Sequence, residues 1–79
     1  MHSAKLSRSP RLQRALRFLQ EAGGPVTTRA IIRGARVCAV NTVIAELRAN
    51  GAKINCFQIM KNGERRFFYA LIKSPEGWE

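Results

Sequence analysis

The apolar pattern of this chain changes period at Gly51, and that change limits it to a mixed helix-and-hairpin fold. Before Gly51, Val40, Val43, Ile44 and Leu47 recur at the spacing of one helical face. Beyond it, residues 53–60 and 65–72 alternate, as strands with two unlike faces do. Between the two runs stands Lys61-Asn62-Gly63-Glu64. Asn-Gly accepts positive φ at both positions and favours a two-residue hairpin turn. With Asn62-Gly63 as the loop, Lys61 pairs with Glu64, Phe57 with Phe68, Cys56 with Tyr69 and Ile54 with Leu71.

Upstream, Ser9-Pro10 is a helix start, because Ser caps free N–H groups and Pro is tolerated at the first helical position. Leu12, Ala15, Leu16, Leu19 and Ala22 fall on one stripe, and Gly23-Gly24 ends the helix. Arg11, Arg14 and Arg17 read as its solvated side. Residues 25–27 form a short extended link. Thr27 caps a second helix to about Arg33, with Val26 and Ile31 at the spacing of a hydrophobic staple. Ala30, Ile31 and Ile32 face inward, Gly34 stops the helix, and Val37 lies buried under the turn that follows. Two short helices joined by a Gly-containing turn make the sequence form of a helix-turn-helix. The expected fold class is α+β: three helices, then a two-stranded β-hairpin. The expected organisation is a flexible basic tail over 1–8, one domain over 9–72 and a C-terminal tail over 73–79, where Pro75 and Gly77 oppose regular structure.

The hairpin register puts Ile54, Cys56, Phe67, Tyr69 and Leu71 on one face, expected to pack on the helices. Phe57, Ile59, Phe68, Ala70 and Ile72 share the other face. Such an apolar patch either marks a partner surface or is covered by Phe18, the N-terminal tail or Trp78. Phe57, Ile59 and Phe68 are the candidate interface residues.

Charge narrows the function. Fourteen Lys and Arg against five Glu and no Asp leave a net charge of +9 in 79 residues. Solubility needs a net charge of only about 2–8 in a small domain, so an anionic partner is implied, nucleic acid or an acidic surface. An enzyme is not expected: the one His is His2, and no nucleophile-base pair or phosphate-binding glycine loop is present. Cys38 and Cys56 are too few for a disulfide framework and have no His nearby, so neither metal nor cofactor is expected. No apolar run approaches the roughly 18 residues that span a membrane.

The third helix carries Cys38, Asn41, Thr42, Ala45 and Ala49 opposite its apolar stripe, a small uncharged face where a solvated helix would be charged. Over residues 9–72 the order helix, helix, turn, helix, hairpin resembles the winged helix-turn-helix superfamily of DNA-binding domains, in its small single-domain bacterial and phage regulator form. The resemblance is carried by Val26-Thr27-Thr28, by Val40-Asn41-Thr42-Val43-Ile44-Ala45-Glu46-Leu47-Arg48-Ala49-Asn50-Gly51 and by Phe67-Phe68-Tyr69-Ala70-Leu71. It implies a third helix in the major groove and a hairpin wing on the DNA backbone. The groove-facing candidates are then Cys38, Ala39, Asn41, Thr42 and Ala45. Asn bonds adenine twice, Thr touches a base edge or a thymine methyl, and Ala leaves room. Arg36 reaches a base or phosphate from the turn. Lys61, Asn62, Arg65 and Arg66 cluster at the wing tip, and Arg29 holds a phosphate at the start of the second helix. Other roles stay open: Asn41 can bond its own helix end, Arg65 and Arg66 can guard an edge strand, and Arg48 can pair with a Glu. The expected function is double-stranded DNA binding by a cytoplasmic, nucleoid-associated regulator. The alternative is a protein-interaction module of the same fold, acting as a homodimer or on a protein partner through the outer hairpin face.

Overall fold

The structure, a computed structural model, describes residues 5–79. It is an α+β arrangement of three α-helices and a three-stranded antiparallel sheet. Helix α1 (Pro10–Ala22) starts where Ser9 Oγ accepts from the Leu12 N–H, and ends at Gly23 in the left-handed region. Leu12, Ala15, Leu16 and Leu19 are buried as their spacing predicts, whereas Ala22 at the last turn is exposed. Strand β1 (Val26–Thr27) leads directly into helix α2 (Thr28–Ala35), because Thr27 Oγ1 accepts from the Ala30 N–H at 3.1 Å. Within α2, Ile31 is fully buried, Ala30 is half-buried and Ile32 is exposed.

Gly34 does not stop α2. The helix runs through it to Ala35, and the left-handed residue that ends it is Arg36, at φ 57°. What Gly34 supplies is room. A Cβ there would meet the Phe18 ring at 2.0 Å, so the missing side chain lets α1 and α2 close together. Arg14 of α1 completes the join, its Nε–H donating to the Ala35 carbonyl at 3.1 Å. A guanidinium at the carbonyl end of a helix also complements the helix dipole.

Helix α3 (Val40–Ala49) buries Val40, Val43, Ile44 and Leu47. Its end is a Schellman turn: the Ala52 N–H reaches the Leu47 carbonyl and the Gly51 N–H the Arg48 carbonyl, with Gly51 at φ 104°. Arg11 of α1 meets Glu46 of α3 at 3.0 Å, and Arg48 donates to the Ile54 carbonyl at 2.7 Å rather than to a carboxylate. Arg11 and Arg14 are therefore ties between helices, while Arg17 pairs with exposed Glu21.

Strands β2 (Lys53–Lys61) and β3 (Glu64–Lys73) form the hairpin in the predicted register, with all four predicted pairs opposite each other. Asn62 and Gly63 both have positive φ, 53° and 80°, as a type I′ turn requires. The sheet has one strand more than expected. β1 pairs with β3 through Val26↔Tyr69 and Thr27↔Phe68, giving the order β1-β3-β2. Two residues are too few to show an alternation, so sequence patterning reads this strand as a link.

The expected inner face of the hairpin is only half covered. Ile54 and Tyr69 are buried and Leu71 is half-buried, but Cys56 and Phe67 are exposed. The ribbon extends past the helical layer, so its distal residues alternate with no core opposite them.

Both tails pack in part. Residues 6–8 form a 3-10 turn, Leu6 is buried, and its N–H donates to Asn50 Oδ1. The rest of the expected flexible tail, residues 1–4, lies outside the described residues. At the other end Pro75 is buried beside Gly51. Gln20 donates to Ser74 Oγ and to the Trp78 carbonyl, which seats Trp78 against α1 beside Arg17. Trp78 thus does not cover the Phe57–Phe68 face, and Phe18 is committed to Gly34. No helix is long and apolar enough to cross a membrane, among the described residues.

Candidate functional site

The first turn of α3, the start of α2 and the inner face of the hairpin enclose an open cleft of about 610 Å³. Cys38, Ala39, Asn41 and Thr42 line it from the α3 side, and Thr28 from α2. Cys56, Phe67 and Tyr69 line it from the hairpin. Among the described residues no charged side chain contributes. A second cleft adjoins it, sharing Thr28 and Phe67, and there the charge changes. Arg29 from α2 lines it together with Glu64, Arg65 and Arg66 of β3, where Arg65 and Arg66, as strand neighbours, take opposite faces of the ribbon. Glu64 lies 3.8 Å from Arg66, so the group keeps net positive charge.

Local folding explains both halves. The α3 stripe turns Val40, Val43, Ile44 and Leu47 to the core, which leaves Asn41, Thr42 and Ala45 on the outer side. Arg29 is the second residue of α2 and sits where that helix exposes free N–H groups. Arg65 and Arg66 follow the hairpin turn and reach α2 because β3 also pairs with β1.

All eleven residues singled out from sequence are exposed. The structure gathers seven of them at the two clefts: Cys38, Ala39, Asn41 and Thr42 in one, Arg29, Arg65 and Arg66 in the other. Arg36, Ala45, Lys61 and Asn62 line neither cleft; the first two flank the α3 cleft in sequence, the others form the hairpin tip. Five residues that line the first cleft were missed: Thr28, Val40, Cys56, Phe67 and Tyr69. Alternation assigned the last three to the core. For Tyr69 a signal existed, since a buried phenol hydroxyl usually finds a partner. Its ring is 5% exposed, and its O–H donates to Asn41 Oδ1 at 3.1 Å. Asn41 is therefore tied to the hairpin and not to its own helix end.

The outer hairpin face is arranged as its register predicts. Phe57 and Phe68 stack with ring centroids 5.6 Å apart and planes 13° from parallel. Phe57 and Ile59 are exposed beside half-buried Phe68.

Comparison of the chain with protein-family models, with curated proteins and with solved structures gave no match. What the site does is therefore argued from its own geometry.

Proposed function

We propose that the chain is a winged helix-turn-helix protein that binds double-stranded DNA, in the manner of a small cytoplasmic transcriptional or phage-type regulator. The first turns of α3 enter the major groove, and the hairpin acts as the wing on the phosphate backbone. One observation carries this reading: an uncharged, exposed face on α3 directly adjoins a notch lined by three arginines from two other elements. Uncharged short side chains suit a base edge, and guanidinium groups suit the phosphates beside it. The net charge of +9 adds the long-range attraction.

Titration with duplex DNA at low salt, followed by backbone amide shifts, tests it. The expected shifts fall on residues 36–45, on Arg29 and on residues 61–66. A titration that leaves those amides unmoved sinks the proposal.

A second reading rests on the stacked Phe57–Phe68 pair, which no described segment covers. In it the hairpin's outer face binds a second copy or another protein. Light scattering is expected to show a mass above that of the 8.9 kDa chain that Phe68→Glu returns to it. A monomeric mass for both proteins removes the homodimer form of this reading.

A further inference from the structure

We infer that Tyr69 is a positioning residue that orients the Asn41 carboxamide, and that the base so read is adenine. The inference rests on the DNA-binding reading above and deepens it. A terminal carboxamide rotates in a broad, nearly two-fold well, so a free Asn presents its oxygen and nitrogen in either order. Here the oxygen is turned to the Tyr69 hydroxyl. Tyr69 stands on β3 opposite Cys56, with its ring in the core and its hydroxyl 3.1 Å from Asn41 Oδ1. The O–H donates to the amide oxygen, which is turned towards the hairpin; a phenol also accepts, so the bond holds the carboxamide in place, and in either orientation an acceptor and a donor remain for a base.

The carboxamide keeps useful capacity after this bond. Its oxygen has a second lone pair and its nitrogen two donor hydrogens. An acceptor beside a donor is the complement of adenine's major-groove edge, which offers the N6 amino group beside N7. Guanine offers two acceptors there, so one would face the Asn41 oxygen unpaired. Asn41 is the second residue of α3, in the turn where a groove-bound helix meets base edges. Ala39 and Thr42 beside it are too short to compete for the same edge, and among the described residues no charged side chain lines the cleft.

Selection of bound sequences from random duplexes, followed by single-base variants of the selected site, tests this. The wild-type chain is compared with Tyr69→Phe, Asn41→Ala and the double variant. Asn41→Ala is expected to erase the preference for adenine at one position. Tyr69→Phe keeps the ring and is expected to weaken preference at that same position by about two- to tenfold, the range one hydrogen bond spans. Preference at the other positions holds, and in the Asn41→Ala background Tyr69→Phe adds nothing. Unchanged preference with Tyr69→Phe overturns the role given to Tyr69. So does a loss spread evenly over all positions with a lowered melting point, which marks a structural hydroxyl. A preference for guanine at the Asn41 position overturns the adenine assignment. If the wild-type chain enriches no duplex, the DNA-binding reading fails and the inference with it.

Discussion

Near its base the hairpin rests on the helices and on β1, and towards its turn it stands as a two-stranded ribbon. Ile54 and Tyr69 at the base are 7% and 5% exposed; Met60 and Phe67, further out on the same face, are 62% and 48%. Residue types and alternation are much the same in both halves. What differs is the layer behind them. A lone two-stranded hairpin is marginal in water; beyond the Phe57–Phe68 stack, a cross-strand pair worth about 0.2–1 kcal/mol at the level where β1 ends, the distal half is held among the described residues by its own ladder and the Asn62-Gly63 turn. The half that would touch a ligand is thus also the half least tied to the core, as regions that adapt to ligands commonly are.

The sharpest way to break this contrast is truncation on one strand face. Tyr69→Ala removes a buried ring and is expected to cost about 3–5 kcal/mol in urea unfolding. Phe67→Ala, two residues away on the same face, is expected to cost under about 1 kcal/mol, as exposed positions do. Equal costs would mean that the distal half is covered in solution.

A smaller effect probes the helical layer by itself. Gly34→Ala pushes a Cβ into the Phe18 ring and is expected to lower stability by about 1–2 kcal/mol, less whatever helix propensity returns. In a Phe18→Ala background the same substitution should become neutral or stabilising. A loss that persists there would rule out the close approach as its cause.

Charge removal at the notch should separate function from folding. Arg65→Ala combined with Arg66→Ala is expected to leave the melting temperature within a degree or two. The slope of log affinity for duplex DNA against log salt should drop by about 2, one unit per lost phosphate contact. An unchanged slope would remove these arginines from the interface. Least in magnitude, amide exchange should run faster at residues 58–66 than at Asn55 and Tyr69, whose N–H groups face a neighbouring strand, and uniform protection along β3 would erase the distinction between the halves.

Much of this was legible from sequence because local chemistry decides it. Ser9, Thr27 and Gly51 mark helix ends through hydrogen bonds and backbone dihedrals within a few residues. Asn62-Gly63 sets the hairpin register for the same reason. The failures all involve partners distant in sequence. Gly34 looks like a stop until Phe18 is placed over it. Two residues of β1 carry no period, and their strand character comes from Tyr69 and Phe68. Cys56 and Phe67 alternate like core residues, yet alternation says which face a side chain takes and nothing of what lies opposite. At the candidate site, the neutral face of α3 could be read from its stripe alone. The approach of Arg29 to Arg65 and Arg66, and the bond from Tyr69 to Asn41, could not.

The sheet order β1-β3-β2 leaves the nine-residue β2 as an edge with no strand beside it among the described residues, its Ile54 carbonyl met by Arg48, and with a lysine at each end and no charge between. Such an edge invites a second strand, and edge lysines are a common defence against one. Most of the defence here is the repulsion between whole molecules that each carry +9. A bound polyanion cancels that repulsion while it gathers copies along its length. Crowding on a polymer, more than concentration in free solution, is then the condition under which two such edges would meet.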